Sequence, residues 1–220
     1  MEAIARGDKP KTLQTIAYIS IPESADLEFL LWDLQDAIAA YARLSGTALP
    51  RPVDLGAGDA GGAADGIVLA VEEAPDDEAL AAIEQALDRF GNAGARVYVV
   101  VQAGVDGFVR AHGLIERLRT ACDLRDLSWC GGVVVCGGSG IAALRHSPRM
   151  GLLRRPFSEA MDKLVGAVRM GCSVEHAHRL GGGNAEDVDV NGLVCATPAV
   201  PAPIWHAVIR HLGSRAQSNI

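Results

Sequence analysis

The chain has 220 residues, 49% of them hydrophobic, and a formal net charge of −7 from 27 acidic and 20 basic side chains. This length suffices for one hydrophobic core, and the apolar fraction can cover both faces of a sheet. The acidic balance argues against broad electrostatic binding to nucleic acid, and no apolar run reaches the roughly 18 to 20 residues that cross a bilayer. Because residues 1–11 are polar and lack the apolar core of a signal peptide, we expect a cytoplasmic protein.

The first third of the chain predicts one clear strand, one long helix and one doubtful strand. Residues 15–21 are a short run rich in β-branched side chains, which is typical of a strand. A helix follows, with an apolar stripe at helical spacing and Ser24 as the candidate N-cap. Residues 50–65 are rich in Gly, Ala and Pro and predict a flexible loop, in which 53–55 form the only candidate strand.

The remainder of the chain alternates apolar strands with helices. Residues 66–71, 96–101 and 129–136 are continuous apolar runs that predict buried strands. Helical patterns follow these strands, at 76–90, at about 108–121 and at about 156–170. We therefore divide the chain into a polar lead, 1–14, and a single domain, 15–220, that ends in a Pro-rich segment and a helix.

Apolar strands separated by helices indicate a parallel sheet that is buried on both faces. The predicted fold is therefore α/β, with an open, doubly wound parallel sheet of five strands between two layers of helices. In such sheets ligands bind beyond the carboxyl ends of the strands. The loops after Ile21, Val71, Val101 and Cys136 are therefore the candidate site.

The loop after the last predicted strand, Gly137-Gly138-Ser139-Gly140, is rich in glycine, which lets backbone N–H groups approach a ligand closely. It is not a Walker motif, since no lysine follows it, and it lacks the spacing of a dinucleotide fingerprint. A tight turn without a ligand is an equally open alternative. The main basic cluster comes next and either receives an anion or an acidic partner or is a solvated surface loop: Arg145, His146, Arg149, Arg154 and Arg155.

Other candidate side chains have two interpretations each. Ser24 either binds phosphate or caps its helix, and the cap is favoured. The carboxylates between Glu72 and Asp77 either hold a divalent cation or form an ordinary acidic helix start, which is favoured. The six histidines and five cysteines have no metal-ligand spacing, so we expect no metal site, and no spacing indicates a catalytic triad.

Several short motifs, taken in their order, resemble a known family. Leu87-Asp88-Arg89-Phe90 ends the helix after the third strand, and residues 97–104 are similar to that family's fourth strand. Trp129-x-Gly-Gly-x-x-x-x-Gly-Gly precedes Pro148 and a long helix, and a Pro-rich tail with Trp205 follows. In this order the motifs resemble the NAD(P)H-dependent FMN reductase branch of the flavodoxin-like superfamily.

The resemblance implies an FMN-dependent oxidoreductase that takes hydride from NAD(P)H, with FMN itself supplying the chemistry. No side chain is an obvious catalytic acid or base. The loops that would contact FMN contain these residues: Ser20, Pro22, Ser24, Glu72, Glu73, Ala74, Gln102, Ala103, Gly104, Gly137, Gly138 and Ser139. The family commonly forms dimers, and the apolar tail at 200–209 either covers a second copy in a homodimer or folds back on its own sheet.

Two loops depart from the family pattern. The family holds the FMN phosphate with Gly-Ser-Pro-Arg after the first strand, whereas this chain has Glu23 there. Two like charges about 4 Å apart repel by roughly 1 kcal/mol in water. Glu72 and Glu73 stand where the family places an aromatic against the flavin. Two alternatives therefore remain, a cofactor-less scaffold that binds a partner or is structural, and a binder of some other small anionic ligand at residues 137–155.

Overall fold

A parallel sheet of six strands forms the centre of the protein. The computed structural model describes residues 9–53 and 62–218. The strands are β1 (Thr15–Ile21), β2 (Arg51–Pro52), β3 (Gly66–Glu72), β4 (Arg96–Gln102), β5 (Ser128–Val135) and β6 (Leu193–Ala196). Their order across the sheet is β2-β1-β3-β4-β5-β6, and every neighbouring pair is parallel. The prediction of an open, doubly wound parallel sheet is confirmed.

The predicted number of five strands was too low, because β6 was missed. This strand has only four residues, and its sequence LVCA forms no long apolar run. It exists because Leu193–Ala196 pairs in register with residues 132–135 of β5, a long-range contact that no local pattern reveals. The short second strand lies at Arg51–Pro52, just before the doubtful strand predicted at 53–55; residue 53 is not in a strand, and residues 54 and 55 lie outside the described residues.

Helices cover both faces of the sheet. They are α1 (Ala25–Ser45), α2 (Asp77–Phe90), α3 (Phe108–Leu124), α4 (Arg155–Met170), α5 (Val174–Leu180) and α6 (Ala202–Ser218). One core contains side chains from α1, α4, α5 and α6, and the other contains side chains from α2 and α3. The three-layer α/β/α arrangement is therefore confirmed. None of the helices within the described residues is long and apolar enough to cross a membrane.

The central strands β3 and β4 are apolar at nearly every position because each contributes to both cores. All seven residues of β4 are buried, as are the first six of β3. Alternation along β3 sends Val68 and Ala70 into one core and Ile67 and Leu69 into the other. Burial on both faces explains why the sequence shows continuous apolar runs here rather than alternating polar and apolar positions.

Asp65, which directly precedes β3, forms hydrogen bonds and an ion pair with residues at or just before the start of β1. Its Oδ2 accepts hydrogen bonds from the backbone N–H of Gln14 at 3.0 Å and of Thr15 at 3.2 Å. Lys11 Nζ lies 3.6 Å from its Oδ1. Burial by itself raises the pKa of Asp65, but these hydrogen bonds and the charge of Lys11 outweigh it and hold the pKa below its usual range.

We expect Asp65→Asn to make the protein less sensitive to acid. A carboxylate with a lowered folded-state pKa stabilises the fold above its unfolded pKa, and this contribution disappears as the pH falls through the folded pKa. The wild type should therefore exceed the variant by about 1 kcal/mol in free energy of unfolding at neutral pH, with the difference vanishing in strong acid. Urea unfolding across the acidic range measures this, and a pH-independent difference would contradict it.

Candidate functional site

A cleft of about 740 Å³ opens at the carboxyl edge of the sheet. The first turn of α1, the glycine-rich loop after β5 and one face of α6 form its walls. Its polar and apolar lining includes Ser24, Asp26, Ser139, His206, Ile209 and Arg210. The cleft therefore combines two sequence-predicted site residues, Ser24 and Ser139, with residues that the sequence analysis did not single out.

The glycine-rich loop binds a carboxylate of the protein itself. Asp26 Oδ2 accepts a 2.7 Å hydrogen bond from the backbone N–H of Gly140, and Oδ1 accepts one of 2.8 Å from Ala142. Gln102 Nε2 donates a third hydrogen bond to Oδ2, at 3.1 Å. Backbone N–H groups arranged in this way commonly bind an anion. Here the anion is the side chain of Asp26.

Further polar groups of this loop are also paired within the protein. The N–H of Gly138 donates to the carbonyl of Ala103 at 2.8 Å, and Gln102 Nε2 donates to the carbonyl of Gly138 at 3.0 Å. The N–H of Ala103 donates to the carbonyl of Val135 at 2.9 Å. Gly138 and Gly140 have φ angles of 69° and 89°, a region that favours glycine. Gln102, Ala103 and Gly138 thus hold the loop in place.

The loop after β1 begins α1. Ser24 Oγ accepts a 3.3 Å hydrogen bond from the backbone N–H of Leu27, which confirms the favoured interpretation of Ser24 as a helix cap. Ser20 is half-buried at the end of β1, and Pro22 and Glu23 are exposed. The first turn of α1 also contains the acidic residues Asp26 and Glu28.

In the loop after β3, the side chain of Glu73 contacts residues that follow β4. Glu73 Oε1 forms a 2.7 Å ion pair with Arg110 Nη2. Glu73 Oε2 is buried against Gly107, where an added Cβ would lie 1.7 Å from it, and no donor among the described residues reaches it. Glu72 and Ala74 are exposed. Gly104 lies beside this ion pair, since a Cβ there would lie 3.0 Å from Arg110 Nη2.

The acidic residues after β3 also begin α2. Asp76 caps that helix, accepting a 2.8 Å hydrogen bond from the backbone N–H of Ala79. The cap agrees with the favoured interpretation, in which the acidic residues after β3 form the start of a helix. Within residues 9–53 and 62–218, no group of three or more metal-ligating side chains comes together.

The loops named by the resemblance fit the FMN phosphate poorly. Glu23, Asp26 and Glu28 place three carboxyl groups at the start of α1, and the glycine-rich loop already binds one of them. A phosphate there would be repelled by these like charges. FMN binding therefore stays a prediction of the resemblance, without support from these residues.

The basic cluster after the glycine-rich loop is largely neutralised by acidic groups. Arg154, which is 4% exposed, and half-buried Arg149 both pair with the carboxylate of Asp33, which is 3% exposed. Arg149 Nη2 also lies 3.0 Å from Asp162 Oδ1. Burial raises the pKa of Asp162, although the charge of Arg149 opposes that rise. The interpretation of the whole cluster as a solvated loop was therefore wrong for Arg149 and Arg154, which fasten this segment to α1.

The position of α6 depends on one buried aromatic side chain. Trp205 is fully buried, donates a 2.6 Å hydrogen bond from Nε1 to the carbonyl of Gly137, and packs 5.4 Å from the ring of Phe157. A Cβ on Gly140 would lie 2.8 Å from Cγ2 of Ile209, so the loop and α6 are in close contact. At Trp205 and Ile209 the tail folds back on its own chain, and a homodimer stays a prediction.

His206 and Arg210 follow from this placement. They are four residues apart on α6, so they project from one side of the helix, and both are exposed and line the cleft. The sequence analysis missed both as site residues, because α6 reaches the glycine-rich loop only through long-range packing.

No family model, curated protein or solved structure matches this chain. Its class is therefore defined by its own architecture. It is an open parallel α/β protein with a flavodoxin-like strand order, and its cleft lies at the strand ends. The resemblance to FMN reductases stays a prediction.

Proposed function

We propose that this protein binds a small anionic molecule with an apolar portion in the cleft between α1, the glycine-rich loop and α6. The observation that supports this proposal is the cleft itself. It brings cationic and apolar side chains together at the edge where open parallel sheets bind ligands. Its volume of about 740 Å³ lies within the range of known small-molecule sites.

The charges in the cleft favour an anion on the α6 side. Arg210 and His206 supply exposed donors there, and a guanidinium pairs well with carboxylate, sulfonate or phosphate. The acid on the opposite wall, Asp26, already accepts three hydrogen bonds and is thus partly compensated. An anionic group therefore fits better beside Arg210 than beside Asp26.

The remaining lining favours an apolar body with few polar contacts. Ile209, Ala142 and Ala143 contribute apolar surface, and the Ser24 and Ser139 hydroxyl groups are on the opposite wall. A few fixed polar groups in a mostly apolar surface are typical of small-molecule sites. The proposed ligand class is therefore an organic anion of modest size.

Anilinonaphthalene sulfonate (ANS), which combines a sulfonate with aromatic rings, is a suitable probe. We expect it to bind the wild type with enhanced fluorescence, and Arg210→Ala to weaken binding about tenfold, since one charge-assisted contact contributes about 1.4 kcal/mol. Arg43→Ala is the matched control, because Arg43 is exposed at the opposite end of α1. Equal binding by all three proteins would contradict the proposal.

A second control separates the cleft from another apolar surface. Pro203, Ile204 and Val208 line a shallow groove of about 490 Å³ on the outer side of α6. Ile204→Glu places a charge in that groove and should leave ANS affinity unchanged. A loss of ANS binding in Ile204→Glu but not in Arg210→Ala would assign the probe to the outer groove and overturn the proposal.

An FMN-dependent NAD(P)H oxidoreductase is the second candidate function. The flavodoxin-like strand order, in which β1 lies between β2 and β3, supports it. Strand order alone assigns no activity, because one fold supports many functions. A cofactor-less scaffold for a partner is the third, and the apolar outer groove of α6 is a candidate surface for it.

A further inference from the structure

Two cysteines that do not line the cleft contact each other where β5 and β6 pair. Cys136 directly follows β5 and Cys195 belongs to β6, and their Sγ atoms are 3.8 Å apart. The N–H of Cys136 donates a 2.8 Å hydrogen bond to the carbonyl of Ala196, so strand pairing holds the two residues together. Both thiols therefore lie at the paired ends of two neighbouring strands.

The two thiols differ sharply in access to solvent. Cys195 is exposed, whereas Cys136 and the other three cysteines, Cys122, Cys130 and Cys172, are buried. Burial raises the pKa of Cys122 and of Cys130 to about 12, so these thiols stay protonated. A reagent in solution therefore meets Cys195 first.

The contact between the two thiols also separates their pKa values. The hydrogen bond with Cys136 lowers the pKa of Cys195. The same hydrogen bond raises the pKa of Cys136, and burial and then the charge of Cys195 raise it further. These directions favour loss of a proton from exposed Cys195 before buried Cys136, and the thiolate is the nucleophilic form of cysteine.

We propose that Cys195 and Cys136 form a reversible disulfide when the protein meets a hydroperoxide, with Cys195 oxidised first and Cys136 then attacking the oxidised sulfur. The Cys195 thiolate attacks the peroxide oxygen and, with one proton, gives a sulfenic acid and water from hydrogen peroxide. The Cys136 sulfur then attacks the sulfenic sulfur, and its own proton leaves with the hydroxyl group as a second water. Both sulfurs are oxidised by one electron and the peroxide is reduced by two.

The geometry makes closure a local movement. A disulfide needs its sulfurs about 2.0 Å apart, so they must approach by about 1.8 Å from their present 3.8 Å. β6 has four residues and is the last strand in the sheet order, so it is paired on one side only. Rotation of the two side chains and a small shift of this short edge strand supply the approach.

Mass spectrometry of the folded protein tests the proposal. After hydrogen peroxide treatment, quenching and alkylation under denaturing conditions, the wild type should carry two fewer alkyl groups and lack two hydrogen atoms, with both changes reversed by a thiol reductant. Cys195→Ser should show neither change, and because Cys195 is exposed this variant should fold normally. Cys122→Ser is the matched control and should still form the Cys136–Cys195 bond.

Three results would overturn the proposal. The first is a wild type in which Cys195 carries sulfinic or sulfonic acid while Cys136 remains alkylatable. The second is a disulfide between two copies through Cys195, seen as a dimer on a non-reducing gel. The third is full alkylation of Cys136 and Cys195 after peroxide treatment, which would show that the pair does not react.

Discussion

Replacing Asp33 with asparagine is expected to lower the free energy of unfolding by about 3–5 kcal/mol. Asp33 is 3% exposed, and its carboxylate pairs with Arg154, which is 4% exposed, and with Arg149. The substitution keeps the shape of the side chain but leaves a buried guanidinium without its counter-ion. Breaking a buried ion pair from one side is costly for this reason, whereas an exposed pair contributes little.

Asp36→Asn is the control for this substitution. Asp36 is on the same helix one turn away and is exposed, so its replacement should change the free energy of unfolding by less than about 0.5 kcal/mol. Urea unfolding followed by circular dichroism measures both variants. Equal stability of Asp33→Asn and the wild type would show that the segment containing Arg149 and Arg154 is not fastened to α1 by this pair.

Replacing Trp205 with alanine is expected to cost about 3–5 kcal/mol of unfolding free energy. The indole is fully buried, packs against Phe157 and donates a 2.6 Å hydrogen bond to the carbonyl of Gly137. Its loss leaves a cavity under α6 and an unpaired carbonyl in the glycine-rich loop. Because the same helix carries His206 and Arg210, we also expect ANS binding to be lost.

Trp205→Phe separates the two contributions. Phenylalanine keeps most of the aromatic packing but cannot donate to Gly137, so the cost should fall to about 1–3 kcal/mol. ANS binding should then survive in Trp205→Phe and be lost in Trp205→Ala. If Trp205→Ala unfolds like the wild type and binds ANS normally, α6 is positioned by other contacts and the account of the cleft is wrong.

The sheet was predictable because its strongest signals are local. β3 and β4 are apolar at nearly every position since each is buried on both faces, and Ser24 and Asp76 mark the helix starts that follow β1 and β3. β6 was not predictable, because four residues carry too little pattern and the strand depends on pairing with β5.

The candidate site was predictable only where it follows a strand. Ser24 and Ser139 were found because the ends of parallel strands share one edge of the sheet. Asp26, His206 and Arg210 were missed, since their roles depend on contacts between distant parts of the chain. Asp26 meets Gly140, which is 114 positions away, and Trp205 meets Gly137 across 68 positions. No periodicity or motif encodes these pairings.

The central claim is that the anionic group of the ligand binds beside Arg210 and not beside Glu23. Calorimetric titration of ANS and FMN into the wild type, Arg210→Ala and Glu23→Arg tests it most directly. We expect Arg210→Ala to weaken ANS binding about tenfold and Glu23→Arg to leave it unchanged. Any binding of FMN should show the same dependence on these two substitutions. An FMN affinity that Glu23→Arg raises and Arg210→Ala leaves unchanged would contradict the claim and place the flavin at the loop after β1.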